Sequence, residues 1–152
     1  MESLSSGTML DRPMARPGKT VATPRAEAKL YLAKAEQFLD EAQSAAEHSR
    51  HDAAMLNAIH AAISGADAVT VALAGRRSAD PDHQRAIDLL EEVAGQSMAI
   101  RTRARQLGTL LAKKNVVEYE ARRATKKEVA EALERASRIV RWAHDTVQQA
   151  RL

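Results

Sequence analysis

The longest apolar stretch of the chain runs from Ala53 to Ala74, AAMLNAIHAAISGADAVTVALA, with one Gly and no Pro. A segment apolar on every side predicts a helix buried at the centre of a bundle. Its polar exceptions, Asn57, His60, Ser64 and Asp67, follow at intervals of three, four and three, which sets them on one helical stripe. Such a stripe faces solvent, a hydrogen-bonded seam between helices, or a site. The first two outcomes are the commoner ones.

The flanking patterns predict about four more helices. Tyr31, Ala35, Phe38, Ala42 and Ala45, widened by Leu32, Leu39 and Ala46, form one face of an amphipathic helix. It is expected to start with Thr23 as N-cap and Pro24 at the first helical position, and to end near EHSRH. The short gap before Asp52 implies an antiparallel hairpin with the apolar rod. Gly75 ends the rod, and GRRSADPD reads as a loop. Asp80 and Pro81 read as the cap and first residue of a third helix, with Ala86, Ile87, Leu90 and Val93 inward and Gly95 at its end. A fourth helix is expected from about Ser97 to Ala112, burying Met98, Ile100, Ala104, Leu107, Leu110 and Leu111. Gly108 reads as a point of close contact. Whether the helix continues through Asn115 to Tyr119 is open. Thr125 and Glu128 form a capping box for a last helix whose stripe runs from Val129 to Val147, with Trp142 beside it. Residues 1–23, with Gly7, Pro13, Pro17, Gly18 and no sustained period, read as a disordered tail, with Met9 and Met14 as alternative starts. Residues 24–152 read as one domain. No strand is expected.

Composition narrows this further. Aromatic residues make up only 3% of the 152 residues, which favours close-packed helices over a sheet core. The absence of Cys excludes disulfides and thiolate-zinc sites. Asn57, His60 and Asp67 interrupt the one stretch long enough to span a membrane, so no membrane association is expected. With no signal-peptide core at the N-terminus, the expected compartment is cytoplasmic.

The net charge of +3 is unevenly placed. Arg101, Arg103, Arg105, Lys113, Lys114, Arg122, Arg123, Lys126 and Lys127 face only Glu118 and Glu120, an excess of seven positive charges in one segment. That asymmetry suits a polyanion such as RNA, although charge runs usually just solvate a helix surface.

Few residues suggest chemistry on their own. There is no Gly-rich phosphate loop, His-Glu-x-x-His pair or nucleophile elbow. His48 and His51 sit three apart with no carboxylate at ligand spacing, so no metal and no cofactor are expected. His83 and His144 are each isolated. The informative cluster is Lys114-Asn115-Val116-Val117-Glu118-Tyr119. In a helix it pairs Lys114 with Glu118 and Asn115 with Tyr119 at i and i+4. On residue chemistry alone it reads as an intrahelical ion pair beside a packing Tyr.

The order of these elements resembles the HEPN domain superfamily over about residues 24–150. The likeness rests on YLAKAEQFLDEAQ, the apolar AIHAAISGADAV, the short DHQRAIDLL, a long helix ending in LLAKKNVVEYEAR, and a final amphipathic helix. It implies an all-α, up-and-down bundle of about five helices that forms a homodimer. It also implies RNA or nucleotide binding in a toxin–antitoxin, defence or stress setting, with RNA and a cognate antitoxin or other protein as partners. Nuclease members carry an Arg, a polar residue and then a His that support metal-independent RNA cleavage. Here Lys114 stands in the Arg position, Asn115 in the polar position and Tyr119 in the His position. The resemblance thus makes Lys114, Asn115 and Tyr119 the catalytic candidates, and Lys113, Lys114, Arg122 and Arg123 the nucleic-acid-binding ones. A Tyr with a pKa near ~10 is a poor base at neutral pH, and Lys lacks the bidentate fork of Arg. Binding therefore outlasts cleavage in this variant, unless His60 supplies a base from the stripe. The other reading is a non-enzymatic helical scaffold that binds a protein.

Overall fold

The computed structural model describes residues 19–120 and 122–152. The described elements are a short strand β1 (Thr20–Ala22), a 3₁₀ turn (Arg25–Glu27), α1 (Ala28–Glu47), α2 (His51–Ala74), β2 (Arg76–Ser78), α3 (Gln84–Ala94), α4 (Met98–Tyr119) and α5 (Lys126–Gln149). The architecture is the all-α bundle expected, with α2 at its centre.

Helix α2 is in contact with every other helix. Its many Ala residues and Gly65 allow neighbouring backbones to approach closely. A Cβ on Gly65 would stand 3.4 Å from Ile139 Cγ2 and 3.6 Å from Ala143 Cβ, so α5 seats within van der Waals reach and leaves room for nothing larger than a methyl group. Helix α1 packs through Leu32, Ala35 and Ala42, while α3 and α4 close another side with Leu90, Leu107 and Leu110. The length and composition of α2 would suit a membrane span, but most of its apolar window is buried inside the bundle.

The α1–α2 turn is a Schellman motif built on Ser49 instead of Gly. Ser49 has φ 58°, its N–H donates to Ala46 O at 3.1 Å, and the Arg50 N–H donates to Ala45 O at 2.8 Å. At the other end of α2, Gly75 takes φ 67° and its N–H donates to Val71 O. Arg25 Nε reaches back to the Ala72 carbonyl at 2.7 Å, satisfying an acceptor that the helix end leaves open. Asp52 Oδ1 accepts the Ala124 N–H at 2.7 Å and ties the start of α2 to the segment entering α5.

Several expectations need correction. Residues 19–23 are not tail. β1 pairs antiparallel with β2, Val21 opposite Arg77, and the Thr23 N–H donates to Gly75 O. The rest of the expected tail, 1–18, lies outside the described residues. Strands of three residues are too short for an alternation to show in sequence, and they pair with each other through the backbone. Thr23 does not cap α1; its hydroxyl donates to Val21 O, and a 3₁₀ turn precedes the helix. Asp80 and Asp82 do not start α3 at Pro81. Asp80 Oδ1 accepts the Asp82 N–H and Asp82 Oδ1 accepts the Gln84 N–H, two successive Asx turns that delay the helix to Gln84. Met98 is 66% exposed, because α4 reaches the core only further along. Gly108 is no tight contact, since a Cβ there would meet only Ile87 Cδ1 at 3.7 Å. Helix α4 continues without a break through Tyr119.

Candidate functional site

The polar stripe of α2 divides by depth. Asn57 donates to its own helix at Ala53 O, 2.9 Å away. Ser64 is buried, and His60 and Asp67 are partly buried. From His60 onward the stripe faces the β2–α3 loop and α4 rather than open solvent.

His60 lies between two rings. Its centroid is 5.5 Å from Phe38 of α1 and 6.3 Å from His83, which meets it edge-on at 87°. His83 is the residue just before α3, brought there by the Asp80 and Asp82 turns. A cleft of about 360 Å³ opens beside it. Pro81, Asp82, His83 and Gln84 form one wall, and Gly108, Leu111, Ala112 and Lys114 of α4 the other. Gly108 leaves the floor open. The Lys114 ammonium pairs with Glu118 Oε1 at 2.5 Å, one turn along the same helix.

The electrostatics follow from this packing. Burial is the main cause holding His60 below its ordinary value, aided by His83 and Lys114 and opposed by Glu118. Burial likewise lowers His83, with Lys114 assisting and Asp82 and Glu118 opposing. Both imidazoles are therefore neutral at pH 7, each with an acceptor nitrogen. The bond to Lys114 is the main cause holding Glu118 below the usual carboxylate range, with smaller help from Tyr119 and His60.

Of the residues singled out from sequence, Lys114 lines this cleft, and His60 stands behind it against the His83 ring. Asn115 is exposed and Tyr119 is 75% exposed at the end of α4; neither lines the cleft. Lys113 and Arg122 turn to a different centre. Arg122 forks onto both oxygens of Glu128 at 3.0 Å, and Lys113 reaches Glu128 at 3.4 Å. Arg123 is exposed. Glu128 also completes the capping box with Thr125. Arg122, the Thr125 N–H and Lys113 hold its carboxyl well below the usual range. Sequence reading took His83 as an isolated histidine and Phe38 as part of the apolar face of α1, and assigned neither to a site. Their chain separation from Lys114 left no local signal, and the Asp-Pro-Asp loop before His83 was the one hint of a built turn.

The HEPN domain model matches residues 28–146, most of the chain. The chain belongs to the HEPN family. No curated protein matches it. Lys114 and Tyr119, expected from the resemblance at the motif positions, both lie on α4. Imidazoles from α2 and from the start of α3 stand near the lysine.

Proposed function

We propose that this HEPN domain binds single-stranded RNA, with a backbone phosphate seated in the cleft against Lys114 and beside His60 and His83. One observation carries the reading: a cation of α4 and the neutral His83 imidazole line one cleft, with the neutral His60 ring of α2 directly behind His83. The Lys114 ammonium neutralises a phosphate, and Glu118 is its resident counter-ion, which the phosphate displaces. The same cleft carries the two elements that metal-free cleavage uses. A neutral imidazole accepts the ribose 2′-hydroxyl proton as that oxygen bonds to phosphorus and the 5′-oxygen leaves, while the ammonium offsets charge on the phosphorane. A HEPN homodimer with a cognate antitoxin, in a toxin–antitoxin, defence or stress role, is the setting we propose for this activity.

A second reading, a scaffold that binds protein, is favoured by a different observation: Glu128 and Glu118 already occupy Lys113, Arg122 and Lys114. The two readings separate on purified protein incubated with mixed-sequence single-stranded RNA in EDTA. Binding, with or without cleavage, that weakens in Lys114→Ala supports the first. Cleavage lost in His83→Gln or His60→Gln assigns the base. RNA that neither binds nor is cut leaves the scaffold.

A further inference from the structure

A second cavity, of about 200 Å³, shares His83 with the Lys114 cleft. Ile63 and Ala86 give it apolar walls, and Asp67, Arg77, Asp80 and His83 line its polar part. Asp80 is already engaged by the Asp82 N–H. Asp67 is not engaged: its carboxylate takes no hydrogen bond among the described residues and feels Arg77 and Lys34 only at a distance. Burial outweighs those two cations and raises its pKa to about 7. A carboxyl held out of water without a partner costs stability, so the cavity contains an acceptor pair that lacks its donors. Arg77 is placed beside it by the β1–β2 pairing. Its guanidinium lies 5.6 Å from the centroid of the Tyr31 ring, and one nitrogen donates to Ser78 O. The guanidinium has five N–H donors, so others remain for a ligand.

We propose that this cavity is a base-recognition pocket for guanine, read by Asp67 and Arg77, on the RNA whose phosphate occupies the Lys114 cleft. The inference rests on the RNA-binding reading given above. Guanine presents two adjacent N–H donors, at N1 and N2, next to acceptors at O6 and N7. A carboxylate accepts the first pair and a guanidinium donates to the second. Adenine has no donor at N1 and offers the carboxylate only its exocyclic amine. The cavity has room for a planar base, and because His83 lines both cavities a base held here has its sugar and phosphate near the Lys114 cleft. The apolar walls from Ile63 and Ala86 suit the two faces of a ring.

The test measures binding of three labelled five-nucleotide RNAs, UUGUU, UUAUU and UUUUU, at pH 8, where Asp67 is mostly ionised. Expected for the unaltered chain is a preference for UUGUU of about tenfold or more, in line with one well-formed pair of base contacts. Asp67→Asn and Arg77→Ala each remove that preference while affinity for UUUUU is retained, and Lys114→Ala weakens all three RNAs alike. Equal binding of the three RNAs by the unaltered chain overturns the guanine pocket and leaves RNA binding in place. A guanine preference that survives Asp67→Asn overturns the assignment to this cavity. Failure of every RNA to bind overturns the RNA reading and the pocket with it.

Discussion

At the scale of single residues, three carboxyls decide how this domain responds to pH and charge. Asp67 has its pKa raised from 3.8 to about 7, so between those values the folded chain holds a proton that the unfolded chain has lost. Stability therefore declines as pH rises through that window and levels off above it. Asp67→Asn removes the cost. Its expected effect is a gain of about 1–2 kcal/mol at pH 8 and a flatter stability curve between pH 4 and 7, measured by urea unfolding. Glu128 has the opposite sign. Its lowered pKa contributes stability that is complete above about pH 5 and is lost as the carboxyl protonates at lower pH. Because Glu128 serves the cap of α5 as well as Arg122 and Lys113, Glu128→Ala should cost about 1–2 kcal/mol at pH 7, and less in acid. Glu118 pairs with Lys114, and in the RNA-binding reading proposed above it competes with the phosphate. Glu118→Gln releases Lys114 and is expected to strengthen RNA binding several-fold by fluorescence anisotropy, whereas a structural ion pair would leave affinity unchanged.

At the scale of elements, the helices were legible where their periodicity is long and their caps are local. The α2 rod, the Gly75 stop and the Thr125–Glu128 box are all contained within a few neighbouring residues, so the sequence carries the whole signal. The start of α3 was misplaced because Asp80 with Pro81 imitates a helix start. Asp82, two residues on, takes the next N–H and holds the chain in turns. The two strands left no signal, since each is only three residues long. The same logic yields two tests on turns and packing. Ser49 occupies a left-handed position that glycine accepts without strain, so Ser49→Gly should stabilise by about 0.5–1 kcal/mol. Gly65→Val places two methyl groups where Ile139 and Ala143 already stand, and should destabilise by about 2 kcal/mol or more, both read as shifts in unfolding midpoint.

At the scale of the whole molecule, fold and site differ in how far sequence reached. The bundle was readable because burial of an apolar rod by amphipathic neighbours is a pattern repeated along the entire chain. The cleft was readable only in part. Lys114 and His60 stood out, but the residue that joins them, His83, belongs to a loop whose position depends on β2 and on two Asx turns. The basic segment of α4 and the loop after it looked like a broad cationic surface when counted along the chain. In three dimensions Glu128 and Glu118 take up Lys113, Arg122 and Lys114, and of the nine cations Lys114 alone lines the cleft. A phosphate seated at the cleft therefore predicts that Lys114 contributes more to binding than the cations outside it.

The first measurement to make is therefore the salt dependence of single-stranded RNA binding, compared between the unaltered chain, Lys114→Ala and Lys127→Ala. Lys127 is an exposed lysine on α5 and serves as a charge-matched control. Loss of Lys114 should lower affinity about tenfold or more and reduce the salt slope by about one phosphate contact, while loss of Lys127 changes both only slightly. Equal effects of the two substitutions, or no RNA binding by the unaltered chain, would contradict a phosphate site at Lys114.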